Sequence, residues 1–103
     1  MNDTIFAPAT PTGGAIAILR ISGPKAKAAL ARAFTGAIKP RYMSRGDLVD
    51  GEETVDSCMA VFFEGPKSYS GEDMAEIYLH GGQAVVSRAL SLLSGLGLRP
   101  AEP

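Results

Sequence analysis

The sequence has few of the features on which whole classes of proteins depend. It contains a single cysteine, Cys58, so an internal disulfide is impossible, and this usage fits a reducing compartment. No apolar run approaches the ~20 residues needed to span a bilayer. The first residues show no charged segment leading into an apolar one, as a secretory signal would. We therefore expect a cytoplasmic protein without membrane attachment.

An excess of charge of one sign is also missing. The 10 Lys and Arg residues nearly balance the 11 Asp and Glu residues, which leaves a formal net charge of -1. A domain that contacts nucleic-acid phosphates through its own surface usually shows a clustered basic excess, so direct nucleic-acid binding is not expected. The phosphate-binding motif G-x-x-x-x-G-K-[ST] is absent, so this chain alone should not hydrolyse nucleotides. One His and one Cys cannot form a closed zinc site, and we expect no metal.

What is present predicts one domain of the α+β class. The 103 residues, 46% of them apolar, are enough for a single core. Apolar patterns predict strands over residues 4–7, 15–21, 41–49, 53–63 and 74–80, and helices over 24–34 and 83–94. Residues 98–100 fit either a strand or a loop. We expect a mostly antiparallel sheet with two packed helices.

Local signals predict how some of these elements begin, turn and end. Pro24 suits the first position of a helix that Ser22 or Gly23 would cap. Gly36 is expected to end this helix. The pair Asp50-Gly51 between two strands predicts a hairpin with a type I′ turn, which needs positive φ.

Two charged residues stand in strands that are otherwise apolar. Alternation places Arg20 on a strand face with Ile18, and it groups Glu76 with Tyr78. Such charges are costly unless each is paired or the face opens into a wet pocket. Two interpretations stay open. Arg20 and Glu76 either form a structural ion pair, or they hold a polar ligand between an arginine fork and a carboxylate that accepts paired N–H donors.

Other candidate residues surround the strand that carries Glu76. The glycine- and proline-rich loop 65–73 offers Ser68, Tyr69 and Ser70 as donors and a stacking ring, although such a loop is also an ordinary solvated connection. His80 precedes a glycine pair near a predicted helix start, where it would cap or pack, or contact an anion. Cys58 alternates with apolar neighbours and is expected to be buried and inert.

The order of these motifs resembles the N-terminal domain of the MnmE (TrmE) family of tRNA modification GTPases. The matching segments cover nearly the whole chain: Asp3-Thr4-Ile5, Ala9-Thr10-Pro11, residues 14–23, the loop 65–73, Glu76 and His80-Gly81-Gly82. The chain departs from the family pattern at Ser70, where threonine is common.

The resemblance implies a fold and a ligand. The fold would be similar to the folate-binding domain of aminomethyltransferases, and the cofactor would be a tetrahydrofolate, usually 5-formyl-tetrahydrofolate. Arg20 and Glu76 fall on the family's cofactor-binding residues. Glu76 would accept from the amino and ring N–H groups of the pterin, and Arg20 would lie near the polar edge of the ligand. No catalytic residue is expected.

The resemblance also implies partners and further domains. Family members form homodimers through this domain and act with MnmG, a flavin and NADH enzyme, on the wobble uridine of tRNA, which the full complex binds. Residues 1–103 would be the N-terminal domain, ending just before its natural boundary. A helical domain and a potassium-dependent G domain with GTP and Mg²⁺ would lie beyond it, so this chain alone should lack GTP hydrolase activity.

Two other hypotheses remain at this point. The first is a purely structural dimerisation domain in which Arg20 and Glu76 form an internal salt bridge. The second is a free-standing one-carbon transferase, which would need His80 as its acid or base.

Overall fold

The computed structural model describes residues 3–10, 14–65 and 71–101. Within these ranges the chain forms strands β1 (Ile5–Pro8), β2 (Ile16–Ser22), β3 (Ser44–Asp50), β4 (Glu53–Phe63), β5 (Met74–His80) and β6 (Arg99–Pro100), and helices α1 (Ala26–Ala33) and α2 (Gln83–Gly95). The predicted α+β class is confirmed. Neither of the two described helices is long and apolar enough to cross a membrane. The loop residues Ser68, Tyr69 and Ser70 lie outside the described residues.

The described strands form one six-stranded sheet in the order β3-β4-β5-β2-β1-β6. Neighbouring strands are antiparallel except β1 and β6, which are parallel, so the sheet is mixed but mostly antiparallel. Strand β2 is an interior strand, as its apolar residues on both faces predict. Its register with β5 places Arg20 directly opposite Glu76.

Both helices pack on the same face of the sheet. The core contains side chains from the strands (Leu19, Ile21, Ala60, Phe62, Ala75, Ile77 and Leu79) and from the helices (Ala26, Ala29, Leu30, Ala33, Ala89, Leu92 and Leu93). In α2 the buried residues are Val86, Ala89, Leu92 and Leu93, whereas Leu90 is only partly buried. The opposite face carries Ile16, Arg20, Met59 and Tyr78, which are all at least partly exposed, and we call it the open face.

Helix α1 begins at Ala26, so the prediction that Pro24 starts it is wrong. Its N-cap residue is Lys25, and neither Ser22 nor Gly23 caps the helix. The backbone N–H of Lys25 instead donates to Oγ1 of Thr4 over 2.8 Å. Thr4 directly precedes β1. An acceptor from outside the segment thus replaces the local cap that the sequence predicts.

The predicted end of α1, the predicted start of β3 and the predicted type of one turn also differ from the structure. Helix α1 stops at Ala33 rather than at Gly36, because Phe34 adopts an extended backbone and bridges to β3. Strand β3 begins at Ser44 rather than at residue 41. The predicted hairpin of β3 and β4 is confirmed, but φ is positive (64°) at Gly51 and not at Glu52, which is the pattern of a type II′ turn rather than type I′.

Replacing Thr4 with valine should destabilise the protein, because the N–H of Lys25 would lose its acceptor. Thr4 is buried, and valine keeps its shape while removing the hydroxyl. We expect the free energy of unfolding to fall by about 1 kcal/mol, the usual cost of losing a helix cap. Urea unfolding measures the change, and Thr54→Val at an exposed position of β4 is the matched control. An unchanged midpoint for Thr4→Val would contradict the capping role.

Candidate functional site

Arg20 and Glu76 form an ion pair on the open face of the sheet. Two nitrogens of Arg20 donate to the same oxygen of Glu76, with Nε at 2.9 Å and Nη2 at 2.6 Å from Oε2. The guanidinium therefore contacts one carboxylate oxygen rather than bridging both. The hydroxyl of Tyr78 donates to the other oxygen, Oε1, over 2.6 Å. Each oxygen of the carboxylate consequently has at least one donor.

The strand register brings these three side chains together. Arg20 and Glu76 are opposite each other in the β2–β5 ladder, and opposite residues are close neighbours on one face. Tyr78 lies two positions along β5, so its side chain projects from the same face as Glu76. The site is thus built on interior strands, which hold it more rigidly than a loop would.

The two charged side chains differ in their access to solvent. The side chain of Arg20 is 38% exposed, whereas that of Glu76 is 11% exposed. The guanidinium therefore reaches solvent while the carboxylate is largely shielded. The structure thus shows the ion pair of the first sequence interpretation, and the pair is half-open because its arginine reaches solvent.

A cleft of about 410 Å³ lies on the open face next to this group. It is lined by Ile16, Met43, Arg45, Ser57, Cys58, Met59, Tyr78, Leu79 and His80. Its volume falls in the range of small-molecule sites, about 300–1,000 Å³. Neither Arg20 nor Glu76 lines the cleft, so Tyr78 is the residue that connects it to the ion pair.

The described ends of the loop 65–73 are fixed close to the ion pair. The hydroxyl of Ser22 donates to Oε1 of Glu72 over 2.8 Å, and Ser22 lies two positions from Arg20 in β2. The backbone N–H of Gly65 donates to Oδ1 of Asp73 over 2.9 Å, which closes the base of the loop. The base of the predicted ligand loop is therefore positioned near Arg20.

His80 contacts an aspartate at the end of β5. Its backbone N–H donates to Oδ2 of Asp56 over 2.9 Å, and its Nδ1 lies 3.0 Å from both carboxylate oxygens. Because a carboxylate accepts, we assign the proton to Nδ1. The ring is 73% exposed, and the helix that follows has Gly82 rather than His80 as its N-cap. His80 therefore does not cap α2, and its described partner is Asp56.

Two side chains beside the cleft have raised pKa values. Burial, with the nearby carboxylates of Asp56 and Asp47, raises the pKa of the Cys58 thiol from 9.0 to about 12. Burial, with the hydrogen bond to Glu76, raises the pKa of Tyr78 from 10.0 to about 12. At neutral pH the thiol is therefore protonated, in agreement with the predicted inert role, and the phenol is a donor.

The arrangement is suited to recognition. It offers a cation at Arg20, an acceptor at Glu76, a phenol ring at Tyr78 and an apolar cleft. Within residues 3–10, 14–65 and 71–101, no three His, Cys, Asp or Glu side chains come together in a way that could hold a metal ion. A flat ligand with adjacent N–H donors and a polar edge matches these groups.

Sequence reasoning predicted Arg20 and Glu76 as site residues but missed the contact of Tyr78. Strand alternation did place Tyr78 on the face of Glu76. The spacing of two residues in one strand was the available signal, but it does not show that the hydroxyl would turn towards the carboxylate. The cleft was missed because its walls come from four strands and from Met43, which precedes β3.

The fold and this site define a two-layer α+β domain that keeps a charged pair on the face without helices. The sequence profile of the family described as "GTP-binding protein TrmE N-terminus" matches residues 4–103. The chain therefore belongs to the TrmE N-terminal family, and the resemblance noted from its motifs is confirmed.

Similar curated proteins carry the name tRNA modification GTPase MnmE. The protein of Phenylobacterium zucineum (strain HLK1) is 46% identical over 106 residues, which cover 100% of this chain and 24% of the relative. The protein of Methylobacterium radiotolerans is 47% identical over 106 residues, covering 99% of this chain and 24% of the relative. The protein of Thermotoga maritima is 46% identical over 104 residues, covering 98% and 23%. The chain thus spans about a quarter of the length of these relatives.

Removing Arg20 should destabilise the protein more than neutralising Glu76. Arg20→Met leaves a shielded carboxylate with Tyr78 as a partner, so we expect a loss of about 2–3 kcal/mol, below the range for a fully buried pair. Glu76→Gln leaves an arginine that already reaches solvent, so we expect a loss of about 1 kcal/mol. Urea unfolding without ligand measures both free energies.

The matched control for these variants is Glu53→Gln. Glu53 also pairs with an arginine, Arg88, but its side chain is 76% exposed. Glu53→Gln should lower the free energy of unfolding by less than about 1 kcal/mol, as for surface ion pairs. A larger loss for Glu76→Gln than for Arg20→Met would contradict the half-open description of the pair.

Proposed function

We propose that this chain is the tetrahydrofolate-binding and homodimerisation module of a tRNA modification GTPase, with 5-formyl-tetrahydrofolate as its ligand. The observation that carries the proposal is the half-open pair of Arg20 and Glu76 on the open face. Membership of the TrmE N-terminal family and the relatives' shared name support the class of protein.

The chemistry of a pterin suits the groups on this face. A pterin presents an amino group next to a ring N–H, and a carboxylate accepts such paired donors well. Oε1 of Glu76 holds one described donor, the hydroxyl of Tyr78, and an oxygen of this kind has two lone pairs. The side chain of Arg20 is 38% exposed, and its guanidinium is suited to a carbonyl or carboxylate of the ligand. The cleft beside Tyr78 would contribute apolar contacts.

The open face also supports the proposed homodimer. Three apolar side chains there or at its edge are exposed: Ile16 is 57%, Met43 42% and Met59 36% exposed. Exposed apolar patches on a domain are typical of interaction surfaces. A second copy of the chain would remove these side chains from water.

The remaining parts of the proposal concern the longer protein and its setting. GTP, Mg²⁺ and K⁺ would belong to a separate G domain, and modification of the wobble uridine would belong to the complex with MnmG and tRNA. The net charge of -1 agrees with tRNA contact through that complex rather than through this domain. A fold like that of the aminomethyltransferase folate-binding domain and a cytoplasmic location complete the proposal.

A structural dimerisation domain is the second candidate, and the observed salt bridge favours it. Arg20 and Tyr78 both donate to Glu76 without a ligand. On this hypothesis Glu76→Ala would cost about 3–5 kcal/mol in ligand-free protein, as removal of one partner of a buried pair does. The protein would also bind no folate.

Titration of the full-length protein with 5-formyl-tetrahydrofolate tests the proposal. The wild type should bind, and Glu76→Ala should weaken binding by about tenfold or more because the ligand loses its carboxylate acceptor. Isothermal titration calorimetry measures both affinities. Glu53→Ala, which removes an exposed carboxylate on a distant ion pair, should bind like the wild type. No binding by the wild type, or equal binding by Glu76→Ala, would overturn the ligand assignment.

A further inference from the structure

We propose that Tyr78 is a positioning residue for ligand recognition, whose hydroxyl fixes the plane of the Glu76 carboxylate so that Oε1 accepts from the ligand in one orientation. The inference rests on the proposed function, because it concerns how Glu76 meets the N–H donors of a pterin-like ring. Strand alternation places Tyr78 on the same face as Glu76, but it does not show that the hydroxyl contacts the carboxylate.

The geometry of the ion pair leaves the carboxylate plane undetermined. A guanidinium that bridges both oxygens of a carboxylate fixes its plane through two parallel hydrogen bonds. Here both nitrogens of Arg20 contact Oε2 of Glu76. The last torsion of a glutamate side chain is broad, so contacts to one oxygen do not hold the other in place.

The bond from Tyr78 supplies the missing restraint. Its hydroxyl lies 2.6 Å from Oε1, which is short for such a bond and typical of a charge-assisted one. With Oε2 held by Arg20 and Oε1 held by Tyr78, the carboxylate has a fixed plane. Arg20 contributes two donors to Oε2, whereas Tyr78 contributes one donor to Oε1. Oε1 therefore has more capacity than Oε2 to accept a hydrogen bond from a ligand.

Tyr78 is itself held in place and kept in its donor form. It stands between Ile18 of β2 and Met59 of β4 in the sheet, so its ring has a neighbour in each adjacent strand. Burial keeps its pKa at about 12, so the hydroxyl carries its proton at neutral pH. The same ring lines the cleft, so one side chain joins the apolar surface to the carboxylate.

A double-mutant cycle in the full-length protein tests this role. The variants are Tyr78→Phe, Glu76→Gln and the double variant, and the ligands are 5-formyl-tetrahydrofolate and its analogue without the 2-amino group. Tyr42→Phe is the matched control, because it removes a hydroxyl from a ring that is 61% exposed. Calorimetry gives the affinities, and thermal unfolding checks that each variant is folded.

We expect Tyr78→Phe to weaken binding of the amino-bearing ligand by about tenfold, the scale of one hydrogen bond to a charged group. Its preference for this ligand over the analogue should fall, whereas a loss of packing alone would weaken both equally. In the Glu76→Gln background Tyr78→Phe should change the affinity by less than about twofold, since residues that act through each other are not additive. Tyr42→Phe should bind like the wild type.

Three results would overturn the inference. Two of them leave the proposed function standing, and the third overturns it as well. If Tyr78→Phe binds both ligands like the wild type while Glu76→Gln does not, Tyr78 has no positioning role and the proposed function stands. If Tyr78→Phe weakens binding as much in the Glu76→Gln background as in the wild type, Tyr78 does not act through Glu76, and the proposed function again stands. If the wild type binds neither ligand, the proposed function and the inference fail together.

Discussion

A carboxylate in the middle of an apolar strand needs hydrogen-bond donors on both of its oxygens, and the open face is organised around that need. Glu76 is shielded from water, so its charge is costly unless protein groups replace the solvent. Arg20 serves one oxygen and Tyr78 the other. The pairing of β2 with β5 brings Arg20 opposite Glu76, and the alternation of β5 places Tyr78 on the same face. The position of the site therefore depends on the sheet register rather than on a loop.

The two-layer architecture leaves the site accessible to solvent. The helices cover the face that carries the core, which leaves the other face with an exposed arginine and an apolar cleft. Some glycines of the motifs shared with the family have a structural reason here. A side chain at Gly81 would overlap the carbonyl of Gly14, and one at Gly23 would meet the Cα of Thr4 at 2.6 Å. These glycines allow close approach of the backbones near the site.

Sequence alone predicted the features that depend on local pattern. The bounds of β4 and β5 agree with prediction, because regular alternation and flanking turn residues define them. Arg20 and Glu76 were noticed because charge in an apolar strand is unusual. Features that depend on distant partners were missed: α1 is capped by Thr4 from another element, and Tyr78 bonds Glu76 only through a particular side-chain orientation. The exposure of Arg20 within the ion pair was not predicted either, because residue spacing does not give exposure.

The measurement that tests the central claim most directly is a crystal structure of the protein with 5-formyl-tetrahydrofolate bound. The half-open pair predicts amino and ring N–H groups of the pterin within hydrogen-bond distance of Glu76, with Tyr78 still donating to Oε1 and Arg20 at the polar edge of the ligand. A saturated complex in which the ligand lies away from Glu76, with the pair of Arg20 and Glu76 unchanged, would contradict it.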